Sequence, residues 1–93
     1  MSFTVSVSEQ ARKDARRLDD WLRAHDVQAA ERLGSVLRDA LISLTEMPLR
    51  GRIAGSSTRE INVPFGRDAY IIRYSVRAKH VTITRIWHSL EHR

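Results

Sequence analysis

The chain contains no cysteine, and it also lacks long apolar runs. Its 93 residues include no Cys, two Pro and four Gly. Without thiols the chain can form neither a disulfide nor a thiolate metal site, and it cannot use a cysteine nucleophile. Residues 1–7 show neither a basic start nor an extended apolar stretch. We therefore expect no signal peptide and no membrane span, and a cytoplasmic location in a reducing compartment.

Lysine is also scarce, because the basic residues are Arg apart from Lys13 and Lys79. The net charge is +5, and residues 48–93 hold nine of the sixteen Arg/Lys but only three of the eleven Asp/Glu. Arginine grips phosphate or carboxylate with a two-pronged set of donors. This asymmetry therefore indicates an anionic partner. An arginine preference in a GC-rich genome explains the same composition, and the counts do not separate the two explanations.

The first part of the chain predicts a strand followed by a helix. Residues 3–7 alternate apolar and polar side chains, which is typical of a half-buried strand. Ser6 or Ser8 can cap the helix, which runs to about His25. Its apolar positions follow helical spacing: Ala11, Ala15, Leu18 and Leu22. The mixed charges on its other faces indicate a solvated surface.

A second helix is predicted from its cap at Asp26 to Met47, where Pro48 ends it. Its apolar stripe consists of Val27, Ala30, Leu33, Leu37, Leu41 and Leu44. Gly34 weakens a helix, and close approach of the first helix is the simplest reason for it. Because almost nothing joins the two helices, we expect an antiparallel hairpin.

The remainder predicts a loop and three strands in one domain, residues 1–93. The loop is 48–58, the strands are Arg59–Val63, Ala69–Val76 and Val81–His88, and the turns are Pro64–Asp68 and Arg77–His80. The apolar alternation slips near Thr84 and Arg85, which a β-bulge would repair. The predicted fold is α+β: a two-helix hairpin packed on a small twisted antiparallel sheet, in the order β-α-α-β-β-β. Arg73 is predicted on the open face of that sheet.

The last strand brings Arg85, Trp87 and His88 together. His88 could act as a general acid or base, with Arg73 and Arg85 stabilising charge on a reacting phosphate. The alternative is that His88 is a hydrogen-bonded residue that closes the strand. The loop arginines, Arg50 and Arg52, fit either a basic loop beside an anion site or a solvated connection.

Other motifs carry less chemistry. His88–His92 spells H-x-x-E-H, but that zinc motif requires a helix and a distant third ligand, so no metal or other cofactor is predicted. Trp21 and Trp87 could stack on nucleic-acid bases. We interpret them instead as partly buried anchors of the helix hairpin and of the sheet edge. No Ser/His/Asp triad, glycine-rich phosphate loop or paired-carboxylate site is present.

The layout resembles the RelE/ParE toxin superfamily. The segments that carry the resemblance are Pro48 to Gly51, Arg59–Ile61, Tyr70–Tyr74 and Ile83–His88, in that order, and it covers nearly the whole chain. It implies a toxin of a type II toxin–antitoxin system with the fold predicted above. It also implies an antitoxin partner encoded beside the toxin, often with a ribbon-helix-helix DNA-binding part and a tail that wraps the toxin.

The superfamily divides by target. RelE-like members cleave mRNA in the ribosomal A site without a metal, whereas ParE-like members poison DNA gyrase and have no known catalytic constellation. The RelE-like residue set is incomplete here: the strand arginine is displaced to Arg73, the loop has no Lys, and the C-terminus offers His88, His92 and Arg93 but no Tyr. The ParE-like branch, a gyrase inhibitor, is therefore favoured. The alternatives are a ribosome-dependent mRNA endoribonuclease and a non-toxic nucleic-acid-binding module.

Two sets of site residues follow from this interpretation. If the protein is RelE-like, the catalytic candidates are His88, Arg85 and Arg73. Contacts with the target or the antitoxin are expected from Arg50, Arg52, Arg59, Arg73, Arg85, Trp87 and His88. A basic toxin face further predicts acidic residues in the antitoxin tail.

Overall fold

The computed structural model describes residues 2–91, and in this part of the chain two helices accompany a five-stranded sheet. The elements are β1 (Thr4–Val7), α1 (Glu9–Arg23), α2 (Val27–Glu46), β2 (Arg52–Ile53), β3 (Thr58–Phe65), β4 (Asp68–Arg77) and β5 (His80–His88). The α+β class and the predicted order are confirmed. The predicted loop 48–58 is wrong in part, because it contains the short strand β2 and the start of β3.

The sheet is mixed rather than wholly antiparallel. Its strand order is β1-β5-β4-β3-β2, and β1 pairs with β5 in parallel while the other pairs are antiparallel. Parallel neighbours need a long crossover, which the rest of the chain supplies here. His80 on β5 reinforces this pair, since its ring nitrogens lie 2.6 Å from Thr4 Oγ1 and 2.8 Å from Ser6 Oγ.

Local capping sets the helix boundaries. The Ser8 hydroxyl accepts the Ala11 N–H at 3.1 Å, and the Asp26 carboxylate accepts the Ala29 N–H at 3.0 Å. Both caps satisfy backbone donors that a helix start leaves unpaired. The helix α1 ends at Arg23, two residues before the predicted end. Neither helix in residues 2–91 has the length and apolarity that a membrane crossing requires.

The core lies between the helix hairpin and one face of the sheet. Its buried side chains include Leu18 and Leu44 from the helices and Ile72, Tyr74 and Ile83 from the strands. This arrangement confirms that the helices pack on one sheet face.

Two sequence predictions about the helices are wrong. Close approach of α1 does not explain Gly34, because a Cβ built on it meets no atom within 4 Å. Trp21 is not a partly buried anchor: it is 64% exposed and stacks on His25 with the ring centroids 4.4 Å apart.

The predicted bulge in β5 is confirmed and decides which way the last residues point. Arg73 pairs with Arg85, whereas the next residue of β4, Tyr74, pairs with Ile83, so Thr84 is the extra residue. Beyond the bulge, Ile86 faces the helices, and Arg85 is in register with Arg73 on the opposite face, from which its side chain extends past the sheet edge to α1. The turn predicted at 64–68 is shorter than expected. Strand β3 continues to Phe65 and β4 begins at Asp68, so two residues lie between the strands.

Candidate functional site

Charged residues form a line across the sheet face that carries no helix. The Cα register pairs Arg52 with Glu60, Glu60 with Arg73, and Arg73 with Arg85. Residues paired in register share a sheet face, so the four side chains project from the same side of β2, β3, β4 and β5. We call this line the arginine row. It brings together three of the predicted site residues.

Glu60 holds two of these arginines. Its Oε1 accepts a hydrogen bond from Arg52 Nη2 at 2.7 Å. Its Oε2 accepts hydrogen bonds from Arg73, from Nε at 2.8 Å and from Nη2 at 2.7 Å. The Glu60 side chain is only 8% exposed, whereas those of Arg52 and Arg73 are 58% and 40% exposed. A nearly buried carboxylate therefore neutralises one charge of the row from beneath.

Arg73 also covers the tryptophan of the last strand. Its guanidinium carbon lies 4.9 Å from the centre of the Trp87 ring, which is a cation–π geometry. Trp87 is 7% exposed. Trp87 is thus an anchor beneath the row rather than an open stacking platform for bases.

Arg85 leaves the row toward the first helix. Its Nε donates to Asp14 Oδ2 at 2.9 Å and its Nη2 to Asp14 Oδ1 at 3.4 Å. The Ile86 backbone N–H donates to the same Oδ2 at 2.9 Å, and the Asp14 side chain is 3% exposed. Because β1 pairs with β5 only as far as Ile83, Asp14 fills the place of a strand partner at the edge of the sheet.

The titration of this pair follows from its contacts. Burial alone raises the pKa of Asp14, but the hydrogen bonds from Arg85, the Ile86 N–H and Gln10 outweigh it and hold the pKa below its ordinary value. The hydrogen bond to Asp14 in turn raises the pKa of Arg85. Both groups are therefore charged at neutral pH, and Asp14 neutralises a second guanidinium.

His88 lies on the other side of the sheet. It pairs with Tyr70, which faces the helices, and the two rings meet edge to face at 5.1 Å. Its Nδ1 accepts the Leu90 N–H at 3.1 Å, and its Nε2 lies 3.3 Å from Asp68 Oδ2. Because a backbone N–H can only donate, Nδ1 carries the lone pair and Nε2 the hydrogen. The lone pair that a general base needs is already engaged.

A groove of about 640 Å³ opens beside His88, between α1 and the ends of β4 and β5. Its lining residues are Arg17, Leu18, Trp21, Leu22, Phe65, Asp68, Tyr70, His88, Leu90 and Glu91. Burial raises the pKa of the Tyr70 hydroxyl, and the charges of Asp68 and Glu91 raise it further. Tyr70 therefore stays a neutral hydrogen-bond donor in a groove with acidic residues on its rim.

The two remaining predicted contacts do not join the row. Arg59 pairs with Tyr74 and so lies on the helix side, where its Nη1 donates to the carbonyls of Leu49 at 3.0 Å and Gly51 at 2.8 Å. Arg50 is exposed and donates to Ser43 Oγ at the end of α2. Arg59 therefore fastens the loop, and Arg50 binds the end of α2 rather than the row.

No metal site is evident in the described residues. Within residues 2–91 no three His, Cys, Asp or Glu side chains are grouped as ligands. Of the H-x-x-E-H sequence, His88 closes β5 rather than lying on a helix, and His92 is outside the described residues.

The sequence interpretation missed the two carboxylates that organise the row. The mixed charges of the first helix predict a solvated face that includes Asp14. Asp14 nevertheless lies three residues after Ala11 and four before Leu18, so helical spacing places it on the buried stripe. The sequence around Glu60 carries no such signal. Glu60 precedes the inward Ile61 in β3, so its side chain is expected on the opposite, open face of the sheet. Its carboxylate is held by arginines on the two neighbouring strands.

Comparison with known proteins identifies the family. Residues 5–92 match the family described as the ParE toxin of the type II toxin-antitoxin system, parDE. The chain belongs to the ParE toxin family. The toxin class predicted from the sequence is confirmed.

Relatives of this ParE family chain include toxins from Caulobacter vibrioides. Toxin RelE1 is 55% identical over 93 residues, 100% of each chain, and Toxin RelE3 is 33% identical over 90 residues, 97% of this chain and 98% of the relative. A solved structure entitled chromosomal ParDE TA system from P. aeruginosa matches with a TM-score of 0.75 and 14% identity, over 94% of this chain and 96% of that one. That likeness supports the fold.

Proposed function

We propose that this ParE family toxin inhibits DNA gyrase by binding it, without catalysing a reaction of its own. The observation that carries the proposal is the placement of His88 and Arg73 on opposite faces of the sheet. RNA cleavage needs an acid or base and phosphate-binding cations around one phosphate. Here the only histidine among the candidates lies on the face away from the arginines that would hold the phosphate.

The charges of the arginine row favour the same proposal. Arg52, Arg73 and Arg85 share a face, but Glu60 and Asp14 engage them with direct hydrogen bonds. One net positive charge remains in this group of five side chains. The two carboxylates already engage part of each guanidinium through charge-assisted hydrogen bonds, and their negative charges weaken the attraction that remains for a phosphate. A mixed-charge surface of this kind suits a protein target.

The second candidate is a ribosome-dependent mRNA endoribonuclease. Its support is the name of the curated relatives, which are called RelE toxins. On this alternative, the three arginines of the row would contact RNA and His88 would have to reach them around the sheet edge.

The proposed partner is a cognate antitoxin, encoded beside this chain, with a ribbon-helix-helix DNA-binding part. A toxin that acts by contact is neutralised when another protein covers its contact surface. The chain carries a net charge of +5, so an antitoxin segment rich in Asp and Glu would associate fastest.

Two reconstituted reactions test the target. In the first, purified gyrase, ATP and relaxed plasmid are mixed with toxin, and DNA is analysed after detergent and protease treatment. We expect reduced supercoiling and toxin-dependent linear DNA, both abolished by antitoxin. In the second, a translation reaction contains end-labelled mRNA. Cleavage of that mRNA at codon boundaries, with gyrase unaffected, would overturn the proposal in favour of the nuclease.

A further inference from the structure

The Tyr70 hydroxyl has no partner among residues 2–91. Tyr70 is only 5% exposed, and its ring packs against those of Phe65 and His88, with ring centroids 5.8 and 5.1 Å away. Its hydroxyl nevertheless forms no hydrogen bond in this part of the chain. The hydroxyl is not sealed in the core, because no fully buried side-chain nitrogen or oxygen of the described residues lacks a partner. It is therefore an unused polar atom that opens into the groove beside His88.

Aromatic rings form much of the wall of this groove. The Phe65 and His88 rings each meet the Tyr70 ring edge to face, at interplanar angles of 72° and 86°. Trp21 lines the groove from α1 and is 64% exposed, with His25 stacked on one face of its ring. The other apolar lining residues are Leu18, Leu22 and Leu90. We call this the aromatic groove, and the faces of such rings attract cations.

The charge of the aromatic groove is opposite to that of the whole chain. Its lining holds two carboxylates, Asp68 and Glu91, against the single Arg17, whereas the chain carries a net charge of +5. Glu91 is already engaged, because it binds Arg17 and accepts the His88 backbone N–H at 2.7 Å. The Asp68 side chain is 48% exposed, and within residues 2–91 its carboxylate contacts His88 Nε2 alone, at 3.3 Å from Oδ2. Asp68 Oδ1 is therefore available to a cation.

We propose that the aromatic groove binds a small organic cation, an ammonium or amidinium group carried on a flat apolar body. The body packs against the rings of Trp21, Phe65 and Tyr70. The cation donates one hydrogen bond to Asp68 and one to the oxygen of the Tyr70 hydroxyl, which can accept as well as donate. A concave, mostly apolar surface with a few convergent polar groups is the usual form of a small-molecule site.

Charge and size disfavour other ligands. An anionic metabolite or a nucleic-acid backbone would meet the negative charges of Asp68 and Glu91. A wholly apolar molecule would cover the Tyr70 hydroxyl without giving it a partner, which costs free energy. No three metal-ligating side chains are grouped in the described part of the chain, so a metal ion is not the cation. The volume of about 640 Å³ falls within the range of roughly 300–1,000 Å³ that small-molecule sites have.

The first experiment compares small probes on the purified toxin. The probes 2-phenylethylamine, 2-phenylethanol and 3-phenylpropionate share a ring and differ in charge, and ethylamine keeps the charge without the ring. Binding is followed by NMR, with the indole N–H of Trp21 as the reporter inside the groove. We expect 2-phenylethylamine to bind with a Kd on the order of 1 mM, and each other probe to bind at least about fivefold more weakly. Equal binding of the amine and the carboxylate, or no saturable binding of the amine, would overturn the proposal.

Tyr70→Phe tests the unused hydroxyl. The variant removes one oxygen atom and keeps the ring, so the Kd of 2-phenylethylamine should rise by about fivefold through the loss of one hydrogen bond. Because that hydroxyl has no partner in the described fold, the melting temperature should not fall. An unchanged Kd would remove the hydroxyl from the site, and a lower melting temperature would show that the hydroxyl serves the fold. Either result contradicts the proposed role of Tyr70.

The carboxylate is tested by Asp68→Asn against Asp39→Asn. Both variants remove one negative charge, but Asp39 is exposed on α2 and does not line the groove. Asp68→Asn should raise the Kd of 2-phenylethylamine by about fivefold at low salt and by less at high salt, because Asp68 is partly exposed. Asp39→Asn should change the Kd by less than about twofold. Equal losses in the two variants would reduce the effect to the net charge of the protein and overturn the role of Asp68.

The aromatic wall is tested by Trp21→Ala against Val27→Ala. Both side chains are more than half exposed, so neither change should unfold the protein, but only Trp21 lines the groove. With the backbone N–H of Tyr70 as reporter, Trp21→Ala should raise the Kd by about tenfold and Val27→Ala should leave it unchanged. Equal Kd values for the two variants would contradict the site. These measurements need neither gyrase nor antitoxin, so their failure and the failure of the proposed function are separate results.

Discussion

Asp14 Oδ2 accepts two hydrogen bonds of 2.9 Å, one from Arg85 Nε and one from the Ile86 backbone N–H. The two sides of this contact are 71 residues apart in the sequence, on α1 and on β5. The contact lies beyond the end of β1, next to the β-bulge that redirects the Arg85 side chain. A buried carboxylate thus closes the sheet edge that the short first strand leaves open.

Replacing Asp14 by Asn tests this contact. The amide keeps the size of the side chain and one acceptor for Ile86, but it removes the charge that Arg85 faces. We expect a loss of about 1–3 kcal/mol in the free energy of unfolding, measured by urea denaturation. The matched control is Asp19→Asn, which breaks an exposed ion pair with Arg23 on the same helix. A loss no greater than that of the control would contradict the role of Asp14.

The same pair predicts a pH dependence. The folded-state pKa of Asp14 lies below its ordinary value of 3.8, so the folded state favours the ionised form. This contribution is complete above about pH 5 and is lost as the pH falls through the folded-state pKa. The difference in stability between wild type and Asp14→Asn should therefore shrink below pH 4. A difference that stays constant from pH 7 to pH 3 would exclude Asp14 as its source.

Two glycine substitutions should have opposite effects on stability. The Gly51 N–H donates to the Tyr74 hydroxyl at 3.0 Å, and a Cβ at Gly51 would lie 2.6 Å from that oxygen and 2.8 Å from the Glu60 carbonyl oxygen. Gly51→Ala should therefore cost about 1–3 kcal/mol. Gly34→Ala should stabilise the fold by about 0.5–1 kcal/mol, because the site is open and helical. Thermal unfolding of both variants is the measurement, and a destabilising Gly34→Ala would contradict the open space around position 34.

His88 provides the sharpest functional variant. His88→Asn retains an acceptor for the Leu90 N–H but has no imidazole to transfer a proton. If the toxin acts by binding, inhibition of gyrase and killing of cells should change by less than about tenfold. Loss of a general acid or base typically reduces a rate by roughly 10²–10⁴-fold. A reduction of that size with unchanged thermal stability would restore His88 to a catalytic role.

Much of the fold was predictable because its signals are local. Helical spacing and caps placed α1 and α2, and the slip in the apolar pattern located the bulge beside Arg85. The parallel pairing of β1 with β5 was not predictable, because it joins residues about as distant as the chain allows and has no local signature. The same holds for the strand β2, whose two residues are too few for an alternating pattern.

The candidate site was predictable in composition but not in arrangement. Residues two apart in a strand face the same side of the sheet. Arg59 lies two residues before the inward Ile61, and His88 lies two residues after the inward Ile86, so the alternation places both on the helix side. The partners of the arginines were not predictable, since Glu60 and Asp14 meet them only through tertiary packing. These partners determine how much charge the row presents to another molecule.

The most direct measurement is the state of DNA and mRNA in cells within minutes of toxin induction. DNA covalently bound to gyrase and the 5′ ends of transcripts are quantified from the same cultures, with and without the antitoxin. If the account is right, gyrase-bound DNA rises, a DNA-damage response and filamentation follow, and transcripts remain intact. Transcripts cut at codon boundaries, with no rise in gyrase-bound DNA, would contradict it.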